Sequence, residues 1–314
     1  MKRKVSVVIP CYNEEDNVER TYELVKQTLE SIEGVDDYEI IFSDNDSQDS
    51  TVQIIRELAN KDLKLKAILN NRNFGFDRSI FNAILASTGD AVVFLTCDGQ
   101  EPVDMIPIFV NKWISGDLVV WGQKVKSKEN WLVYRLRSVF YKVIEEFSSI
   151  TQYRHVIGFG LYDKSVVNQF RKLKDPYPIL RFIVPELGYK PSLVPYCQNK
   201  RRFGKSNFNF FKLADYALNS LVHTSRAPMK LMIYTGFIFS FFSFMIGAFY
   251  FAYKLFHWDS FSLGIAPIII LLSFVSSVLV SLVGFVGEYL LVVMDRVSFT
   301  SYVIEKERIN FNEE

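Results

Sequence analysis

Three short polar clusters stand directly behind apolar runs in the first hundred residues: PCYNE at 10–14, SDNDSQD at 43–49 and TCDGQE at 96–101. Carboxylates, amides and hydroxyls packed this closely supply oxygen donors, the ligands a hard divalent cation takes. A cation held there would also clamp a diphosphate. Asp98, with the Gln100 amide two positions on, is the pair best suited to that work. Asp44, Asp46 and Asp49 have a second reading, as turn formers or as caps of a helix starting near Thr51. For Asp46 and Asp49 both readings stay open.

Such clusters act together only if the chain brings them to one rim. Apolar runs at 5–9, 38–42, 65–69, 91–95 and 118–121 predict strands. Between them, Val18, Tyr22, Val25 and Leu29 fall on one helical face, and 51–59 and 80–85 predict further helices. The run at 91–95 is apolar throughout, as expected of a strand buried on both faces of a parallel sheet. Strand and helix alternating with short links predict a doubly wound α/β sheet. In such sheets ligands bind beyond the carboxyl ends of the strands, where all three clusters fall.

The rest of the chain constrains the setting. A formal net charge of +1 offers no global field for nucleic acid. Cys11, Cys97 and Cys197 are odd in number and lack CxxC spacing, so buried free thiols in a reducing compartment are expected. The basic start MKRK leads into an apolar run of only five residues, too short for a secretory signal, so the first domain is expected to stay in the cytoplasm. Two later apolar runs, 231–253 and 265–294, each exceed the roughly 20 residues that cross a bilayer. Arg226 and Lys230 precede them, Arg296, Lys306 and Arg308 follow, and only Lys254 borders the link between them. That asymmetry predicts a multi-pass membrane protein with both termini cytoplasmic. The expected organisation is a catalytic domain at 1–207, a juxtamembrane amphipathic helix at 208–229, a two-helix anchor at 230–295 and a tail at 296–314. On pattern alone the segment 208–224 suits an ordinary surface helix equally well. Glu288, inside the second run, reads as structural, as an assembly contact in a homo-oligomer or a partner of Arg296.

VSVVIPCYNEEDN, SDNDSQDST, NNRNFG and TCDGQEP, in this order and spacing, resemble glycosyltransferase family 2 with its GT-A nucleotide-sugar fold. The two apolar runs and GEYL at 287–290 narrow the resemblance to polyisoprenyl-phosphate glycosyltransferases, over nearly the whole chain. The resemblance implies a cytoplasmic GT-A domain with a mostly parallel sheet, followed by interfacial and transmembrane helices. It implies metal-dependent, inverting transfer of a sugar from a nucleotide sugar to a polyprenyl phosphate such as undecaprenyl or dolichyl phosphate. Pro10, Tyr12, Asn13, Glu14, Asp44, Asn45, Asn73 and Gly75 would then meet the donor, together with the turn at Arg72 and Phe74. Asp98 becomes the catalytic carboxylate, holding Mg²⁺ or Mn²⁺ with Gln100 and, less certainly by type, Thr96. Lys124, Arg135, Arg137, Ser138, Arg202 and Lys205 become candidates for the acceptor phosphate, with Lys142 assigned instead to the anionic lipid surface.

The departures bear on chemistry. Relatives commonly carry aspartate where Thr96 and Asn45 stand, glycine where Asp46 stands, a proposed general base where Gly158 stands, and lysine at Asn207. A phosphate monoester has a second pKa of about 6 and is largely dianionic near neutrality, so it needs no base to attack. Loss of the carboxylate at 158 is therefore tolerable for a lipid phosphate and damaging for a sugar hydroxyl. With Thr96 in place, weaker metal affinity is expected. The same departures also suit a non-catalytic subunit that binds nucleotide sugar or lipid within a glycan assembly. A processive polysaccharide synthase is disfavoured, because none of Trp113, Trp121, Trp131 and Trp258 follows an arginine as the Gln-x-x-Arg-Trp signature requires.

Overall fold

Apolar side chains alternate in and out along the first strand, β1 (Lys4–Cys11): Val5, Val7, Ile9 and Cys11 enter one core, and Val8 enters another on the opposite face. Period-two alternation with both faces buried requires helices above and below, and the chain supplies them. The computed structural model describes residues 2–125, 153, 155–173, 178–199 and 303–311, with scattered positions between 235 and 293. After β1 come α1 (Val18–Ser31), β2 (Asp37–Asp44), α2 (Thr51–Lys61), β3 (Leu65–Asn70), α3 (Phe76–Ala86), β4 (Ala91–Phe94), α4 (Met105–Ile114) and β5 (Val119–Lys124). Then follow β6 (Gly160–Asp163), α5 (Lys164–Phe170), α6 (Leu180–Glu186), β7 (Ser192–Tyr196) and β8 (Glu305–Ile309). Helices α1, α2 and α4 pack on the Val5–Val7–Ile9 face, and α3, α5 and α6 on the Val8 face.

The sheet runs β7-β5-β6-β4-β1-β2-β3-β8. The block β4-β1-β2-β3 is parallel throughout, as is the β5–β7 pair. Strand β6 lies antiparallel between β4 and β5. The architecture is a GT-A-type α/β sandwich with a mostly parallel sheet. Because β1, β2 and β4 are parallel and in close register, with Cys11 beside Asp44 and Val8 beside Phe94, their polar C-terminal loops emerge on one rim.

Residues 305–309, read from sequence as part of a tail, form β8, antiparallel to β3. Its sequence EKERI carries too little apolar character to stand out as a strand; the lone Ile309 packs on the first core. The segment is pinned by a bidentate pair of Arg56 with Glu307 and by Asn310, whose amide donates to the Ala59 and Leu65 carbonyls at 2.9 and 2.8 Å. All three cysteines are free, but Cys197 is exposed, contrary to the expectation of burial: it lies just past the edge strand β7.

The chain divides into two compact units, one of Met1–Tyr134, Ile150–Asn207 and Phe299–Glu314, the other of Arg135–Ser149 and Phe208–Ser298. In the second unit every described position between 235 and 293 is helical, and Ile238, Phe241, Phe242 and Met245 are each more than half exposed. Among the described residues no helix is long and apolar enough to cross a membrane. The runs 231–253 and 265–294, the segment 208–229 and Glu288 lie largely or wholly outside the described residues.

Candidate active site

The loops after β1 and β2 are stitched together by reciprocal hydrogen bonds. The Asn13 backbone N–H donates to Ser47 Oγ at 2.9 Å, and the Gln48 N–H returns to Asn13 Oδ1 at 2.8 Å. The Glu14 N–H donates to Thr51 Oγ1, and the Ser50 N–H to Glu15 Oε2, both at 2.9 Å. Asp44 is buried and accepts from the Asp46 and Ser47 backbone N–H groups and from Ser47 Oγ. Its burial raises the carboxyl pKa, and these donors work against that rise. Beside it, burial pushes the Cys11 thiol well up, and the Asp44 charge adds to this, so Cys11 is an inert core thiol. Asp49 accepts from the Thr51 N–H, in keeping with one of the two readings left open for it, a turn former or helix cap.

A chain of amides carries the stitching on to the loop after β3. Asn45 Nδ2 donates to Asn73 Oδ1 at 2.9 Å, while Asn45 Oδ1 accepts from Asn70 Nδ2 at 3.1 Å and from the Phe74 N–H at 3.0 Å. Asn73 Oδ1 also accepts from the Gly75 N–H, where φ is +91°, a conformation that favours glycine. Arg72 stacks over the Phe74 ring at 4.1 Å. The buried Asn70 Oδ1 has no hydrogen-bond partner among the described residues.

The loop after β4 is the acidic corner. Thr96 Oγ1 lies 2.9 Å from Asp98 Oδ1, which also accepts from the Gln100 N–H at 3.1 Å. Thr96 Oγ1 further contacts Glu101 Oε2. Burial pushes the Glu101 carboxyl up to about 7; the Thr96 hydrogen bond opposes this, Asp98 adds to it, and the Lys124 charge opposes it. Gln100 Oε1 accepts from Gln198 Nε2 at 2.8 Å, and Thr21 Oγ1 ties α1 to the Cys97 carbonyl. A cleft of about 530 Å³ opens here, lined among others by Arg20, Thr21, Asp98, Glu101 and Tyr196. Among the described residues no three histidine, cysteine or acidic side chains gather as a metal cluster. Asp98, Gln100 and Thr96 carry side-chain oxygens, the donor type that Mg²⁺ or Mn²⁺ takes.

Residues 6–175 match Glycosyl transferase family 2. The chain belongs to that family. It is 30% identical over 246 residues to the bactoprenol glucosyl transferase of Shigella phage SfX, covering 78% of this chain and 80% of that protein. Over 312 residues it is 28% identical to a glycosyltransferase of Bacillus subtilis with no function in its name, covering 97% and 96% of the two chains. Among solved structures it is similar to glucosyl-3-phosphoglycerate synthase from Mycobacterium tuberculosis, crystallised with Mn²⁺, UDP and glucosyl-3-phosphoglycerate. That likeness has 17% identity and a TM-score of 0.45, over 70% of this chain and 78% of that one.

In this glycosyltransferase two of the departures from the common family pattern, Asp46 and Gly158, have structural accounts. Asp46, where glycine is common, adopts φ +68°, a left-handed conformation that aspartate tolerates better than most residues. Gly158 has φ +96°, and a Cβ built there would lie 3.1 Å from the Leu180 Cβ. No carboxylate fits at that position without rearrangement.

The structure brings Pro10, Tyr12, Asn13, Glu14, Asp44, Asn45, Asn73 and Gly75 onto the stitched rim. Asp44 and Asn45 are 1% and 5% exposed, and their polar atoms are engaged in loop bonds, so their side chains build the rim. Lys124 ends β5 in register with Tyr196, near Glu101. Arg135, Arg137, Ser138, Arg202, Lys205, Lys142 and Asn207 lie outside the described residues. Glu101, Asn70 and Tyr196 escaped sequence reasoning. Glu101 lay inside the quoted TCDGQE cluster, but only the folded loop shows that it turns back onto Thr96.

Proposed function

We propose that this glycosyltransferase moves a hexose from a nucleotide sugar to the phosphate of a polyprenyl lipid, undecaprenyl or dolichyl phosphate, at the cytoplasmic face of a membrane. The observation that carries the reading is the 30% identity with a bactoprenol glucosyl transferase over 78% of the chain, which extends well past the 6–175 family match. Gly158 supports it from the chemistry. An acceptor that arrives already ionised needs no general base, and a side chain at 158 would be strained at φ +96° and crowded by Leu180.

In the transfer, an acceptor phosphate oxygen attacks the anomeric carbon, and the bond to the nucleoside diphosphate breaks with its electrons leaving on the diphosphate. The configuration inverts. A divalent cation would neutralise charge building on that leaving group. Asp98 and Gln100 are the side chains to hold it, while the rim from Asn13 to Gly75 orients the nucleotide. Lys124, with Arg135, Arg137, Ser138, Arg202 and Lys205, would receive the acceptor phosphate.

The membrane part of the reading rests on the apolar runs and on their exposed helical faces. Ile238, Phe241, Phe242 and Met245 recur at helical spacing and are 53–61% exposed, a pattern suited to lipid contact. Strand β8 lies in the same sheet as β1, which supports a topology with the segments before and after the two apolar runs on one side of the bilayer.

Membranes containing the protein, given radiolabelled nucleotide sugars, undecaprenyl phosphate and Mn²⁺, should yield lipid-extractable label. Asp98→Ala should lower that yield by about 100-fold or more. Label that never enters the lipid fraction with any donor, or a fully active Asp98→Ala variant, would refute the reading.

A further inference from the structure

Two carboxylates of the acidic corner meet at one threonine hydroxyl. Thr96 Oγ1 lies 2.9 Å from Asp98 Oδ1 and also contacts Glu101 Oε2. A threonine hydroxyl carries a single proton and can donate to only one of these carboxylates. Glu101 is 2% exposed, so water does not dilute its charge. The chain is turned to make this contact. Gly99, at φ +71°, reverses the loop so that position 101 comes back over position 96. Tyr196 stands against Glu101 from the edge strand, and Gln100 is held by Gln198, so the corner is built from both sides.

We propose that Glu101 supplies the second carboxylate of the cation site, compensating for threonine at position 96. The proposal rests on the metal-assisted reading above. Thr96, Asp98 and Glu101 line one cleft, so a cation held there would meet both carboxylates. Two carboxylates and two neutral oxygens, from Thr96 and Gln100, then approach the oxygen-rich set that Mn²⁺ or Mg²⁺ accepts.

Mn²⁺ titration of the purified full chain, followed by electron paramagnetic resonance with and without UDP, tests this independently of turnover. Glu101→Gln should weaken Mn²⁺ binding about tenfold or more while the protein stays folded. Adding Thr96→Asp to that variant should restore binding to within about threefold, since a carboxylate returns from the neighbouring position. Unchanged Mn²⁺ affinity in Glu101→Gln would overturn the proposal and leave the metal reading standing. A parent protein that binds no Mn²⁺ even with UDP would overturn both. Should Glu101→Gln fail to fold, anomalous scattering from parent crystals soaked in Mn²⁺ decides the matter. An ion coordinated by Glu101 supports the proposal, and one bound to Asp98 but out of reach of Glu101 overturns it.

Discussion

Asn45 Nδ2 donates to Asn73 Oδ1 at 2.9 Å, so the loop after β2 holds the loop after β3 in place. The same side chain accepts from Asn70 and from the Phe74 backbone, which makes it the hub of the stitched rim. Asn45→Ala would leave those groups short of partners in a buried setting. We expect a stability loss of about 1–3 kcal/mol and a donor KM raised several-fold, with kcat less affected. Thermal unfolding and steady-state kinetics with varied donor measure the two effects separately.

Gly158→Asp restores the side chain common in relatives, and it should not help. At φ +96° an L-residue is strained, and its Cβ would press on Leu180. Destabilisation of roughly 2–4 kcal/mol is expected from strain plus a poorly solvated carboxylate. A variant that unfolds at the parent temperature and transfers sugar faster would contradict this account.

Glu39 is the buried charge that makes the sheet pH-sensitive. Burial alone would raise its carboxyl pKa, but hydrogen bonds from Lys66, Ser6 and the Thr88 backbone N–H overcome this and hold it down at about 2. The Lys66 ammonium lies 2.7 Å away and Lys4 lies 3.3 Å away. In the unfolded chain the group titrates near 4.3 (roughly the free glutamate value). Its contribution is therefore fully present above that value and is lost as pH falls towards about 2. Glu39→Gln should cost roughly 2–4 kcal/mol at pH 7, allowing for the partial exposure of the lysines. The parent's decline between pH 5 and 2 should flatten in the variant, as read from urea midpoints across that range.

At the other edge of the sheet, the C-terminal strand should depend on Asn310 more than on its exposed ion pair. Asn310 satisfies two backbone carbonyls and sits at φ +59°, a conformation that asparagine tolerates. Asn310→Ala is expected to cost about 1–3 kcal/mol. Glu307→Ala, which breaks a pair whose side chains are 45% and 38% exposed, should cost under about 1 kcal/mol. Thermal unfolding of the two variants side by side gives the ranking.

Runs of apolar residues were enough to reveal the inner sheet. The strands expected at 5–9, 38–42, 65–69 and 91–95 became β1 to β4 with ends shifted by at most two residues, because strands buried on both faces read as near-continuous apolar runs. The expectation at 118–121 grew into β5, which runs on through Gly122–Gln123–Lys124, polar residues that pair with β7 at the sheet's margin. Strands β6, β7 and β8 went unseen, since each is short and β7 and β8 are edges with weak apolar signal.

The same division holds at the site. By itself the sequence determined the family and the order of the polar loops and singled out Asp98 as a candidate, because each of these lives in contiguous residues behind an apolar strand. Which polar groups build the loops and which line the cleft was decided only by tertiary structure. Asp44 and Asn45 turn inward to build loops, Glu101 folds back to Thr96 across a glycine turn, and β8 returns from far along the chain to pair with β3. Local pattern sets how a strand or helix buries its faces. Hydrogen bonds between loops far apart in sequence depend on strand register, and register exists only once the sheet has formed.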